Sequence, residues 1–267
     1  MLEYPMEDVP VITAAQMREV DRLMVDGYRI GLLQMAEHAG RHMAELVRWR
    51  FFDGDARGGK VHILAGTGGN AAGGLVAARR LHGWGARVAV TLTREPEAYK
   101  GVPGREVEIL RHLEVPISVA TPPPEDADVV IDALVGYGLQ GRPRGTVAAL
   151  IEASAWEGTP VVSLDVPSGL DATTGGATGV VVWAAATLAI ALPKTGLVNP
   201  EAAAFVGELY LADIGVPPQL YRTPGLDLGI GPLFARADLI LLTPPTIPGP
   251  GGPGETPPDG VVDRRRD

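Results

Sequence analysis

The chain has 267 residues, 46% of them hydrophobic, and no cysteine. That is enough apolar mass for one large α/β core, and it excludes thiol catalysis, thiolate metal sites and a disulfide framework. With 32 acidic against 23 basic residues the formal charge is -9, which argues against a phosphate-backbone partner, so nucleic acid is not expected.

The acidic, proline-broken residues 1 to 10 do not read as a secretory signal, and no apolar run is long enough to span a bilayer. The expected location is therefore the cytoplasm, with no membrane partner. Thr13, with Gln16 three residues on, forms a capping-box pattern that predicts a helix from about residue 14. A second helix is predicted over residues 32 to 49, with Met35, Ala39, Met43 and Leu46 on one face and Gly31 as the break before it. From residue 61 short apolar runs (61 to 65, 87 to 92, 129 to 132 and 161 to 164) alternate with helical patterns (75 to 81, 105 to 113 and 147 to 154). This rhythm predicts a parallel sheet with crossover helices. The apolar stretch 180 to 192 reads as buried strand, most clearly over 187 to 192. A further strand at 208 to 212 comes without a long helix before it, as at a sheet edge. Past residue 222 the composition shifts, and residues 244 to 254 are almost all proline and glycine. The predicted division is a domain over 1 to 222 and an extension over 223 to 267 that is mobile from about 244.

Three of the predicted strands run into polar, glycine-bearing turns: Gly66-Thr-Gly-Gly-Asn-Ala-Ala-Gly-Gly74, Asp132-Ala-Leu-Val-Gly-Tyr-Gly-Leu-Gln-Gly-Arg142 and Asp165-Val-Pro-Ser-Gly-Leu-Asp171. Ligands of open parallel sheets bind outside the carboxyl ends of the strands, so the three turns predict one crevice. The first offers backbone N–H groups to an anion, or is only a tight turn that needs glycine. In the second, Arg142 suits a phosphate, or is a solvated side chain beside a capping Asp132. In the third, Asp165 follows an apolar strand and is the better candidate for proton transfer, the alternative being a turn cap. His38 and His42 stand i,i+4 but no third metal ligand follows at a recognisable spacing. Serine-hydrolase and zinc-protease signatures are absent from the sequence.

Taken in order, Thr13-Ala-Ala-Gln-Met17 with Asp21, Glu37-His-Ala-Gly40, Asp132-Ala-Leu-Val-Gly136 with Gly138 and Gly141-Arg142, Asp165-Val-Pro-Ser-Gly169, Pro193-Lys-Thr-Gly-Leu197 and Asp213-Ile-Gly215 resemble the YjeF N-terminal domain family, the NAD(P)H-hydrate epimerases, over residues 12 to 217. The resemblance implies a Rossmann-like three-layer α/β/α sandwich with a mostly parallel central sheet. It also implies an isomerase that interconverts the R and S epimers of hydrated NADH or NADPH. It implies a potassium ion held by Asn70, Asp132 and Ser168, whose amide, carboxylate and hydroxyl are all hard oxygen donors. Asp165 matches the family's substrate-contacting aspartate and is the implied proton carrier. The implied substrate-binding residues are Gly69, Asn70, Ala71, Ala72 and Gly73 of the first turn, Gly136, Tyr137, Gly138, Leu139, Gln140, Gly141 and Arg142 of the second, and Asp165.

Where the family has Asn-Asn-Gly-Gly-Asp this chain has Gly69-Asn-Ala-Ala-Gly73, and Trp183-Ala-Ala185 stands where Arg-Ala-Asp is common. Each orienting hydrogen bond lost in this way costs ~1 to 3 kcal/mol. The alternative function is a catalytically degenerate nucleotide-sensing or protein-interaction module on the same fold. An ordinary dinucleotide dehydrogenase ranks last, because it uses only the loose first-turn fingerprint. A homodimer is compatible with the sequence, which does not fix the oligomeric state.

Overall fold

The computed structural model describes residues 1–154, 158–177 and 179–244. Nine strands form one sheet: β1 (Leu2–Pro5), β2 (Lys60–Ala65), β3 (Arg87–Leu92), β4 (Ile117–Val119), β5 (Val129–Ala133), β6 (Val161–Leu164), β7 (Ala186–Ile190), β8 (Glu208–Ala212) and β9 (Leu239–Thr243). Their order across the sheet is β1-β9-β8-β7-β6-β5-β2-β3-β4. Every pairing is parallel except β8 with β9, the expected outcome where no long helix carries the chain back for a parallel return.

Neighbouring residues along the central strands serve different cores. Ile63, Val129, Ile131 and Val162 join the larger apolar cluster, whereas Leu64, Val130 and Val161 join a smaller one with Leu150 and Ile151. This is the two-residue period of a sheet buried on both faces. The larger cluster is covered by α2 (Leu32–Phe51), α3 (Gly69–Gly83) and α4 (Gly101–His112), and the smaller by α5 (Gly145–Ala153). The result is the three-layer Rossmann-like architecture.

The first helix, α1 (Ala14–Arg22), opens on the predicted box: Gln16 N–H donates to Thr13 Oγ1 at 3.2 Å, and Thr13 N–H donates to Gln16 Oε1 at 2.9 Å. It then widens into a π-helical turn over Leu23–Gly27. The N-terminal segment is pinned beside the later site, since Ile12 N–H donates to the Pro193 carbonyl at 3.0 Å and Thr195 N–H to the Ile12 carbonyl at 2.9 Å.

Three details differ from the sequence expectation. Helix α3 begins at Gly69, six residues before the predicted 75, because α2 presses against it so closely that a Cβ on Gly40 would stand 2.5 Å from the Gly73 carbonyl. Of the apolar stretch 180 to 192 only 186–190 is strand. Residues 239–243 form β9 between β1 and β8, so the sheet extends past residue 222, where the sequence places the domain end. Apart from Pro244, the proline- and glycine-rich segment 244 to 254 lies outside the described residues. Among the described residues no helix is long and apolar enough to cross a membrane.

Candidate active site

The carboxyl ends of β2, β3, β5, β6 and β7 open into one crevice of about 870 Å3, with α1 and α2 as its outer wall. The turns after β2 and β5 touch: a Cβ on Gly66 would lie 2.0 Å from the Leu134 carbonyl, so only glycine permits the approach. Gly66 N–H also donates to the Ala133 carbonyl at 3.1 Å.

Asp165 sits one residue beyond β6 and lines the crevice. Its φ is +69°, and Val166 N–H donates to the Leu164 carbonyl across it at 2.9 Å. This is a γ-turn, a conformation that a non-glycine residue holds only when its surroundings impose it, at about 1–3 kcal/mol. The surroundings do so. Asp165 N–H donates to the Leu188 carbonyl at 2.7 Å, Tyr137 N–H donates to Oδ2 at 2.7 Å, and Lys194 Nζ stands 2.5 Å from Oδ1. Lys194 is fully buried, and its ammonium also donates to the Ile190 carbonyl at 2.9 Å. The Tyr137 hydroxyl donates to Asp21 Oδ2 at 2.5 Å. Burial pushes the Asp21 carboxyl up from its usual range, against the pull of Tyr137 and Lys194, and burial and the Asp21 charge push the Tyr137 hydroxyl up as well. The pair Asp165–Lys194 is thus an ion pair in a mostly apolar floor, held by the Leu188 and Ile190 carbonyls and the Tyr137 N–H, with Asp165 on the crevice wall.

Asp132 and Ser168 lie beneath this floor rather than on the crevice wall, both fully buried. Asp132 Oδ2 accepts from Ser163 Oγ and Ser168 N–H, each at 2.8 Å, and Oδ1 accepts from Ser168 Oγ at 2.6 Å and Leu134 N–H at 3.2 Å. Desolvation pushes this carboxyl up, and the four donors oppose it. Val135 N–H donates to Ser168 Oγ at 2.9 Å, so Asp132 and Ser168 tie the second turn to the third. Asn70 is placed differently: both atoms of its amide are buried and without a hydrogen-bond partner among the described residues. A Cβ on Gly136 would stand 3.3 Å from its Cγ and 2.5 Å from Asp165 Oδ2, which brings Asn70, Gly136 and Asp165 to one point.

Of the residues the sequence singles out for substrate, Gly69, Asn70, Gly73, Gly136, Tyr137, Gly138 and Asp165 line the crevice. Ala71 and Ala72 do not: both are fully buried inside the first turn of α3, since the helix starts at Gly69. Leu139, Gln140, Gly141 and Arg142 are also absent from the wall. Arg142 runs instead against the later segment, its Cβ 3.3 Å from where a Cβ on Gly179 would be. Arg144 takes the place at the rim expected for Arg142, and Arg94, after β3, lies on the rim as well. Sequence reasoning assigns no role to Lys194, although it stands, like Asp165, just past a buried strand, and that position was the available signal. His42, whose imidazole burial pushes below its usual range, belongs to the core, and no cluster of three metal-binding His, Asp or Glu side chains occurs among the described residues.

Residues 32–196 match the family model described as YjeF-related protein N-terminus. The chain is 42% identical over 238 residues to an NAD(P)H-hydrate epimerase of Dehalogenimonas lykanthroporepellens, covering 87% of this chain and 92% of that protein. It is 38% identical to an NAD(P)H-hydrate epimerase of Truepera radiovictrix, covering 83% of this chain and 97% of the relative. A bifunctional NAD(P)H-hydrate repair enzyme of Moorella thermoacetica is 36% identical, and the match spans 42% of its length. The crystal structure of the yeast protein ynu0 superposes with a TM-score of 0.68 at 24% identity, covering 88% of this chain and all of that one, which shows the shared fold. On the family match and the two full-length relatives, this chain belongs to the YjeF-related protein N-terminus family.

Proposed function

We propose that the chain is an NAD(P)H-hydrate epimerase, an isomerase interconverting the R and S epimers of hydrated NADH and NADPH. The observation that carries this reading is the buried Asp165–Lys194 couple at the bottom of a crevice large enough for a dinucleotide. The named activity of the relatives agrees with it.

Epimerisation at a hydroxylated carbon beside a ring nitrogen needs no redox partner. The C–O bond breaks as the nitrogen lone pair forms an iminium, the departing hydroxyl takes a proton and leaves as water, and water adds to the opposite face as the proton returns. One group has to give and regain that proton. Asp165 has Oδ1 against the Lys194 ammonium and Oδ2 accepting from Tyr137 N–H, which leaves lone pairs on the carboxylate for the substrate. Lys194 holds the resting charge of Asp165, and the Tyr137 N–H fixes the plane of the carboxyl.

A monovalent cation such as potassium fits the residues under the floor. Asp132 is a fully buried carboxylate whose partners are hydroxyl and N–H donors rather than a cationic side chain, and Asn70 supplies a buried, unpartnered amide on the crevice wall above, next to Gly136 and Asp165. Asn70, Asp132, Ser168 and the Val135 carbonyl would hold the ion. When bound, the ion supplies positive charge that balances Asp132 and draws the three turns together.

The test is to follow the epimer ratio of R-hydrated NADH by chromatography, with protein against the spontaneous rate. Wild type is expected to exceed that rate and Asp165→Asn to fall to it; a wild type no faster than buffer assigns the crevice to ligand binding without turnover. For the ion, the midpoint of thermal unfolding should rise in potassium chloride relative to tetramethylammonium chloride and stop responding in Asp132→Asn. Equal midpoints in the two salts would remove the site.

A further inference from the structure

The charged side chains lining the crevice divide into two kinds. Asp21 and Asp165 on the floor are engaged by Tyr137 and Lys194. The side chains of Arg94 and Arg144 on the rim make no hydrogen bond or ion pair among the described residues. Two guanidinium groups thus line the crevice with their donors open; the carboxylates lining it are Asp21 and Asp165 on the floor, and Glu95, the residue after Arg94, does not line it.

Their order along the strand ends matters. From Asp165 after β6, the sheet runs to β5, whose following loop carries Arg144. It continues to β2, which feeds the glycine turn, and then to β3, followed by Arg94. Asp165 and Arg94 are three strand spacings apart, about 14 Å. A dinucleotide laid across these ends with its reacting ring on Asp165 sets its diphosphate over Arg144 and the glycine turn, and its adenosine ribose beside Arg94.

In dinucleotide-binding α/β folds the strand that follows the glycine turn ends at the ribose 2′ position. A carboxylate there accepts from the 2′-hydroxyl, and an arginine accommodates a 2′-phosphate. Here that strand is β3, and the crevice residues beyond it are Thr93 and Arg94. The turn is tied to β2: the hydroxyl of Tyr99, a residue 4% exposed, donates to the Ala65 carbonyl at 2.8 Å and accepts from Thr93 N–H at 3.1 Å. Arg94 is therefore registered against the end of β2, where the glycine turn begins.

Resting on the epimerase reading, we propose that Arg94 selects the 2′-phosphorylated substrate, hydrated NADPH, over hydrated NADH, while Arg144 grips the diphosphate common to both. A fork of guanidinium donors matches a phosphate bidentately and has no comparable partner in a 2′-hydroxyl.

The experiment measures kcat and KM of wild type, Arg94→Ala and Arg144→Ala on both hydrated substrates, with calorimetric Kd values for NADPH and NADH alongside. Both arginines are exposed and unpaired, so neither substitution removes a packing contact on which folding depends. Wild type should favour hydrated NADPH by roughly tenfold or more in kcat/KM. Arg94→Ala should lose that factor through KM on hydrated NADPH, with kcat kept and a much smaller change on hydrated NADH. Arg144→Ala should weaken both substrates by similar factors. Equal use of the two substrates by wild type, or equal losses on both in Arg94→Ala, overturns the assignment. Absence of turnover on either substrate refutes the epimerase reading alone, and the Kd ratio of NADPH to NADH then decides on Arg94: a ratio near one, or one that Arg94→Ala leaves unchanged, refutes its role.

Discussion

Gly136→Ala is the smallest change that reaches the proposed proton carrier. Its added methyl would stand 2.5 Å from Asp165 Oδ2 and 3.3 Å from Asn70 Cγ, while an ordinary contact needs several tenths of an ångström more. Asp165 cannot simply swing away, because Lys194 holds Oδ1 and the carboxyl plane is set by Tyr137 N–H at 2.7 Å. The least costly relief moves the 134–138 turn outward and breaks the Tyr137 bond. A hydrogen bond to a charged group is worth about 1.5–3 kcal/mol, so kcat/KM should fall by roughly 10- to 150-fold if the oriented carboxylate carries the chemistry. The assay is the approach of R-hydrated NADH to epimeric equilibrium, corrected for the spontaneous rate, with thermal unfolding as the check on folding. Gly138→Ala is the matched control, since a Cβ there meets nothing within 4 Å. A folded Gly136→Ala protein with wild-type kcat/KM would refute the argument that Asp165 acts from this geometry.

Lys194→Met should destabilise the fold by about 3–5 kcal/mol in urea unfolding, because it strands the Asp165 carboxylate without its cation; adding Asp165→Asn should recover part of that loss, and strict additivity would refute the coupling. Gly73→Asp places a Cβ 2.8 Å from Leu164 Cδ2 and should cost about 1–3 kcal/mol through overpacking, whereas Gly69→Asn, with only Leu32 at 3.6 Å, should be tolerated; equal melting points for the two would contradict this. His62 on β2 is buried, with Nε2 2.9 Å from Thr91 Oγ1, and burial pushes its imidazole down to about 4. The native state then holds it neutral while the unfolded chain protonates near 6.5, so stability present above pH 6.5 declines as pH falls toward 4, by about 2 kcal/mol at pH 5. His62→Gln should flatten that acid limb in urea titrations at pH 7 and 5, and an unchanged slope would refute it.

What could be read in the sequence followed from how local each signal is. The run 61 to 65 is β2 less its first residue, and 208 to 212 is the whole of β8, because a strand buried on both faces is apolar at most of its positions. Asp165 was legible because the strand end and the proline-glycine turn mark its position within a few residues. Lys194 was not: its partner is 29 residues away, and only the β6–β7 register, Leu164 against Leu188, brings the two ends together. The early start of α3 was equally hidden, since Gly69 to Gly74 have poor helix propensity and the contact with α2 decides their conformation. Arg144, not Arg142, reaches the crevice because the chain turns between them, and spacing alone carries no such information.

The way the sheet is closed sets the order in which the molecule can be assembled. Leu2–Pro5 pairs only with Ile240–Thr243 of β9, so the first strand has no partner until nearly all of the described chain exists, and β9 in turn needs β8 to dock on. Contacts of such sequence separation form late, after their loop-closure entropy is met by the rest of the fold. During synthesis the β8 edge, Glu208–Ala212, stays open and apolar on a nascent domain whose crevice-forming strands are already complete, and an open edge of that kind invites pairing between chains. The short β9 segment thus acts as the latch of the fold: cutting before Leu239 should leave an assembled crevice on a protein that self-associates through β8 and has lost its anchored first strand.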